Sequence, residues 1–135
     1  MNKTEAKRWI NKAWHHLSSA KLLFNANHYT DVIGVDLHYS VEIMLKSFIV
    51  FENKKIVKTH NLISIYKSVS HKITLIDEEL DLLDIITDYH IEEAYPTMDR
   101  PLPSKDEIKI VLKFTEELLI RVCGILNIDI KEIQI

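Results

Sequence analysis

Glycine is nearly missing from this sequence: Gly34 and Gly124 are the two it has in 135 residues. They cannot build a glycine-rich loop of the kind that wraps phosphates with backbone amides. The lone Cys123 excludes an internal disulfide and any multi-cysteine zinc site, and it suits a reducing cytosol. No Ser, Cys or Thr stands in a recognisable nucleophile context. No run approaches the roughly 18 apolar residues that a membrane span needs. The opening residues, Met1 to Trp9, hold no apolar signal core, so a soluble cytoplasmic protein is expected. A net charge of -3 gives no global footprint for nucleic acid. A local basic patch remains at Lys54, Lys55 and Lys58.

What the sequence does have is helical periodicity. With 47% hydrophobic and 27% charged residues and three prolines, it has the composition of a helical globular protein. A chain of this length buries roughly two thirds of its unfolded surface, enough for one core. No repeat, low-complexity tract or linker marks a second domain, so residues 1–135 are read as one.

Asn2 with Glu5 resembles a capping box, and Trp9, Ile10, Ala13, Leu17, Ala20, Leu23 and Phe24 follow at helical spacing, predicting a first helix over about 3–25. A second runs from Thr30 or Asp31, either able to serve as N-cap, to about Glu52. Thr59 is the expected N-cap of a short third helix carrying Leu62, Ile63, Ile65, Tyr66 and Val69. A fourth, Asp77 to about Ala94, turns Leu80, Leu83, Ile86, Ile91 and Tyr95 inward and must stop at Tyr95, because Pro96 disfavours helical dihedrals in the residue before it. Met98 to Pro103 reads as a rigid loop. Ser104 with Glu107 opens a last helix to about Gly124 or Asn127, with Ile108, Val111, Leu112, Thr115, Leu118, Leu119, Val122 and Leu126 on one face. The tail, Ile128 to Ile135, fits either an added helical turn or a short extended segment. The fold expected is all-α, an antiparallel bundle of four to five helices.

The stretch from Asp36 to Leu62 carries the candidate chemistry. Glu42 and Lys46 stand at i and i+4, glutamate first, among Val41, Ile43, Met44, Leu45, Phe48 and Ile49, with His38 one turn earlier. Charges on so apolar a helix are costly unless paired. Two readings stay open: an ion pair that fixes helix register, or a row that lines a ligand pocket. His60 opens the next helix with Lys58 two residues before it and backbone N–H groups just after, which supports a nucleotide or RNA-phosphate site. The alternative is that His60 and Asn61 only cap the helix. As a general base, His60 would need an orienting acid, and Glu42 is the candidate.

No metal or cofactor is expected. A carboxylate-bridged dimetal centre in a bundle uses Glu-x-x-His, whereas His38 with Glu42 and His90 with Glu93 run in the opposite order, and His15 and His16 diverge around their helix. Trp9, Trp14 and Phe24 are read as core or dimer-interface residues, the alternative being that exposed ones stack bases.

Trp14 with Leu17, Ala20, Leu22 and Leu23, then Tyr29, Glu42-x3-Lys46, His60-Asn61-Leu62, and finally Tyr89 with Tyr95-Pro96 resemble, in order and spacing, a HEPN domain across nearly the whole chain. The resemblance implies a helical bundle that usually forms a homodimer and is often encoded beside a minimal nucleotidyltransferase, in some cases as a toxin-antitoxin pair. It also implies kinship with metal-independent ribonucleases whose signature is an arginine and a histidine separated by four to six residues, near the start of the last long helix. This sequence departs from that signature. It has no histidine beyond residue 90, so neither Arg100 nor Arg121 supplies it, and Arg8 with His15 lies on the first helix. Ala94 stands where an arginine commonly precedes the Tyr-Pro step, leaving Arg100 to approach that area from the proline loop.

The expected ligand-binding residues are therefore Glu42, Lys46, Lys58, His60, Asn61, Tyr89, Tyr95 and Arg100. The function expected is a homodimeric interaction or nucleotide/RNA-phosphate-binding module acting with a minimal nucleotidyltransferase. The alternatives are a divergent metal-independent ribonuclease, with His60 as base and Lys46, Lys58 or Arg100 stabilising phosphorane charge, and a purely structural helical dimer.

Overall fold

A computed structural model describes residues 1–92 and 101–134, the side chains of Ile91 and Glu92 excepted. Within them lie six helices: α1 Lys3–Asn25, α2 Thr30–Phe51, α3 Leu62–Val69, α4 Asp77–Glu92, α5 Lys105–Leu126 and α6 Ile130–Ile133. The tail is thus an added helical turn, capped by the Asp129 side chain on the Lys131 N–H. The expected end of the fourth helix near Ala94 and Tyr95, and the loop from Met98 as far as Arg100, lie outside the described residues.

The stripe Ala6, Ile10, Ala13, Leu17 and Ala20 alternates steps of four and three and is buried end to end. Its alanines let α1 lie close along α2, whose Ser40 hydroxyl donates to the Ala13 carbonyl at 2.8 Å. The Asn2 N–H donates to the Phe51 carbonyl at 2.8 Å, tying the start of α1 to the end of α2 and making the pair antiparallel. α2 is the central rod, in contact with α1, α3, α4 and α5, and so it is buried around most of its girth. Its Gly34 lies under the Tyr89 ring, where a Cβ would sit 3.1 Å from ring carbons. α4 and α5 are antiparallel. Tyr89 near the end of α4 donates its hydroxyl to Glu107 at the start of α5, and Arg121 near the end of α5 reaches Glu79 and the Thr74 carbonyl, each at 2.7 Å.

The caps follow the sequence where they are local. Asn2 accepts from the Glu5 N–H and Ser104 from the Glu107 N–H, each at 3.1 Å, but neither glutamate closes its box: Glu5 turns to Arg8, and Glu107 takes the Tyr89 hydroxyl. Two expected caps are displaced. The cap position of α2 is Tyr29, with no side-chain bond, so Thr30 and Asp31 already lie inside the helix. The cap of α3 is Asn61, accepting from the Ser64 N–H at 3.0 Å, while Thr59 accepts from the Asn61 N–H one step upstream. With glycine so scarce, the left-handed positions past helix ends fall to Asn27, Asn53 and Asn127, at φ 56, 56 and 60°.

All eight residues expected on the inner face of α5 are buried, as are Leu83 and Ile86 of α4. Leu80 packs at the edge of the core, as do Trp14 and Phe24. Trp9 differs: it is half-buried and lines a groove of about 380 Å³ with Glu5, Arg8, Lys12 and Ile43. No helix among the described residues is long and apolar enough to cross a membrane.

Candidate functional site

A buried carboxylate organises this site. Glu42 is 6% exposed and Lys46 7%, both facing inward from α2. Lys46 Nζ donates to Glu42 Oε2 at 3.0 Å, and the other carboxylate oxygen, Oε1, meets His60 Nδ1 at 2.9 Å. A carboxylate can only accept, so His60 Nδ1 carries the proton and Nε2 is the ring's outward atom. Burial, the largest single influence, pushes the Glu42 carboxyl up, but the hydrogen bonds and charges of His60 and Lys46 together outweigh it, and the net direction is below the usual carboxylate range. Glu42 is held as an anion.

His38, fully buried one turn before Glu42, points Nε2 at two acceptors: the His60 carbonyl at 3.1 Å and Glu42 Oε1 at 3.5 Å. Its proton therefore sits on Nε2, and Nδ1 is left buried without a partner among the described residues. Burial lowers its imidazole to about 4, with the Glu42 charge only partly opposing. His90 of α4 stacks on His60 with ring centroids 4.2 Å apart and meets the His38 ring edge-on at 4.9 Å. Burial, and then His60, lower the His90 imidazole below its ordinary value, with Glu42 partly offsetting.

The two stacked histidines open onto a groove of about 380 Å³ lined by Lys58, Thr59, His60, Asn61, Thr87 and His90. The expected residues divide accordingly. Lys58, His60 and Asn61 line the groove, while Glu42 and Lys46 stand behind His60 as its support. Tyr89 is fully buried in the core with its hydroxyl on Glu107 and lines no part of the groove. Tyr95 and Arg100 lie outside the described residues. Arg8 and His15 are exposed on α1, and Arg8 pairs with Glu5.

The amides expected to cradle phosphate are largely committed within the fold. The Leu62 N–H donates to the Thr87 hydroxyl and the Ser64 N–H to Asn61, each at 3.0 Å. Attraction for an anion thus rests mainly on side chains. Thr87 and His90 were not foreseen as site residues; their signal was a polar pair three apart on α4, beside the apolar Leu83 and Ile86. Among the described residues no group of three His, Cys, Asp or Glu side chains is arranged to hold a metal ion.

Comparison with protein families matches residues 6–126 to the HEPN domain. The crystal structure of TT1696 from Thermus thermophilus superposes with a TM-score of 0.75, covering 93% of this chain and 99% of that one at 17% identity, a likeness of fold. No curated protein matches.

Proposed function

From the premise that this chain belongs to the HEPN domain family, we propose that it is a phosphate-recognising module, taking a nucleotide or an RNA phosphate in the groove of Lys58, His60, Asn61 and His90. The observation that carries this reading is the Glu42–His60 pair, at 2.9 Å: a buried acid fixes an exposed histidine on an open groove beside a second histidine and a lysine. Fixing the ring in advance lowers the ordering cost of binding. Lys58 supplies a cation, the His60 ring, with Nδ1–H on Glu42, donates to phosphate from Nε2 when it carries its second proton, His90 offers a further ring nitrogen, and Lys46 balances the Glu42 charge from behind. The homodimer and the minimal nucleotidyltransferase partner belong to the same proposal, supported by the family likeness. Titration of 5′-AMP or inorganic phosphate, followed through the imidazole signals of His60 and His90, tests the groove. Binding should weaken about tenfold or more in Lys58→Ala and His60→Ala, an order set by loss of one charge-assisted hydrogen bond. Binding indifferent to both substitutions would refute the reading. Light scattering tests the dimer.

A second reading, metal-independent RNA cleavage, is favoured by the same acid-backed histidine. With Nδ1–H on Glu42, the Nε2 lone pair is free to accept a proton from a ribose 2′-hydroxyl as the oxygen attacks the neighbouring phosphorus. Growth arrest on expression that is lost in His60→Ala would support it, and unchanged cellular RNA with normal growth would count against it.

A further inference from the structure

His38 makes no contact with the groove's open side, yet it touches each group that gives the groove its chemistry. Its Nε2 lies 3.1 Å from the carbonyl of His60 and 3.5 Å from the carboxylate that holds the His60 ring, and its ring packs edge-on against His90 at 4.9 Å. Packing alone does not call for an imidazole here. The site is fully buried, and Nδ1 has no donor among the described residues, an arrangement less stable than an apolar side chain of similar shape would be. What an apolar side chain cannot supply is the Nε2 proton. That proton anchors the backbone of residue 60 to α2, so the His60 ring meets Glu42 at a set distance instead of swinging with the loop that carries Lys58 and Thr59.

We propose that His38 is the positioning residue of the groove, its single N–H locking the His60 backbone so that Glu42 can hold the His60 ring with Nδ1 protonated and Nε2 outward. The claim rests on the reading of the groove as a binding site, but it can be judged separately. His38 sits behind His60 as an outer partner sits behind a metal ligand, fixing tautomer and direction without touching what is bound.

Two variants separate the N–H from the ring. His38→Gln keeps a donor near the Nε2 position without the ring, and His38→Phe keeps a ring without the donor. Nitrogen-15 imidazole spectra report the tautomer of His60, and exchange of its Nδ1 proton with water reports how firmly Glu42 holds it. The expected result is a His60 spectrum close to wild type in His38→Gln. In His38→Phe, His60 should show a mixed tautomer, faster exchange and, by analogy with outer-partner losses, about tenfold weaker binding of inorganic phosphate. The reverse pattern, with Phe like wild type and Gln shifted, overturns the proposal in favour of packing. So does a His60 spectrum unchanged in both. Should neither variant fold, the wild-type spectrum decides: a Nε2–H tautomer for His38 upholds the assignment, and a Nδ1–H tautomer overturns it. If wild type binds neither phosphate nor 5′-AMP, the reading of the groove fails while the His60 spectra still judge His38.

Discussion

Acidification should unfold this protein through His38, and the effect can be worked from its burial. The side chain is fully enclosed, and burial lowers its imidazole from 6.5 to about 4. In the unfolded chain the ring takes up a proton as pH falls through 6.5, whereas in the folded chain it refuses that proton until about 4. Between those values the unfolded state binds more protons, so stability is full above 6.5, declines as pH falls, and reaches its full loss near 4. The gap corresponds to about 3 kcal/mol at roughly 1.4 kcal/mol for each pH unit, of which about 2 kcal/mol is lost between about pH 7.5 and about pH 5. His90 and Glu42 are also lowered and act in the same direction, His90 through the same acid range and Glu42 only below its ordinary 4.5, so wild type alone does not isolate His38. The comparison is with His38→Gln, which keeps a donor for the His60 carbonyl and has nothing to titrate. Urea unfolding of both proteins at about pH 7.5, 6.5 and 5 should show the stability difference moving by about 2 kcal/mol in favour of the variant as pH falls. Parallel pH curves would refute the reasoning, and a difference moving the other way would mean that His38 is charged in the folded protein.

Glu42→Leu should destabilise by about 3 kcal/mol in urea unfolding, because it strands Lys46 as a buried charge, and adding Lys46→Met should recover most of that loss. Gly124→Ala, with nothing within 4 Å of the new Cβ, should stabilise by up to about 1 kcal/mol. Gly34→Ala should instead destabilise by about 1–3 kcal/mol, since its Cβ meets Tyr89 ring carbons at 3.1 Å and that ring is buried with its hydroxyl on Glu107. Thermal unfolding of the pair checks the opposite signs. Asn127→Ala should cost about 1 kcal/mol at its left-handed position past α5, whereas Asn127→Gly should be neutral or better.

The long helices were legible because their signals are short in range. An N-cap and the amide three residues on, a stripe at steps of three and four, and an asparagine just past the last turn all lie within one segment, and α1 and α5 begin and end close to where those signals put them. Starts failed where tertiary contacts chose among equals. Thr59 and Asn61 are both capable caps, and nothing local ranks them. In the fold, the His60 carbonyl is taken by His38 and the Leu62 N–H by Thr87, which delays the helix to Leu62. The Thr87 bond, with those from the Asn61 N–H to Thr59 and from the Ser64 N–H to Asn61, explains why the expected amide cradle is mostly occupied. The Glu42–Lys46 pair was visible at i and i+4, but the 2.9 Å contact between Glu42 and His60, and the arrival of His90 from α4, depend on how α3 and α4 sit against α2.

That dependence makes the Lys46 pairing expected from spacing part of the support of His60. Glu42 has two oxygens facing two directions, Oε2 to Lys46 within α2 and Oε1 to His60 across to the start of α3. If Lys46 merely decorated the helix, its loss would leave the carboxyl unchanged. If it balances the buried anion, Lys46→Met removes both a hydrogen bond and a charge from the set that together outweighs burial, and the Glu42 carboxyl must rise. A carboxyl held low adds stability that is present above its ordinary 4.5 and lost as pH falls through the folded value. Raising it shrinks that contribution and moves the acid limb of the stability curve to higher pH. Carbon-13 titration of the Glu42 carboxyl in wild type and Lys46→Met measures the rise directly, and an unshifted titration would mean that His60 alone holds the charge.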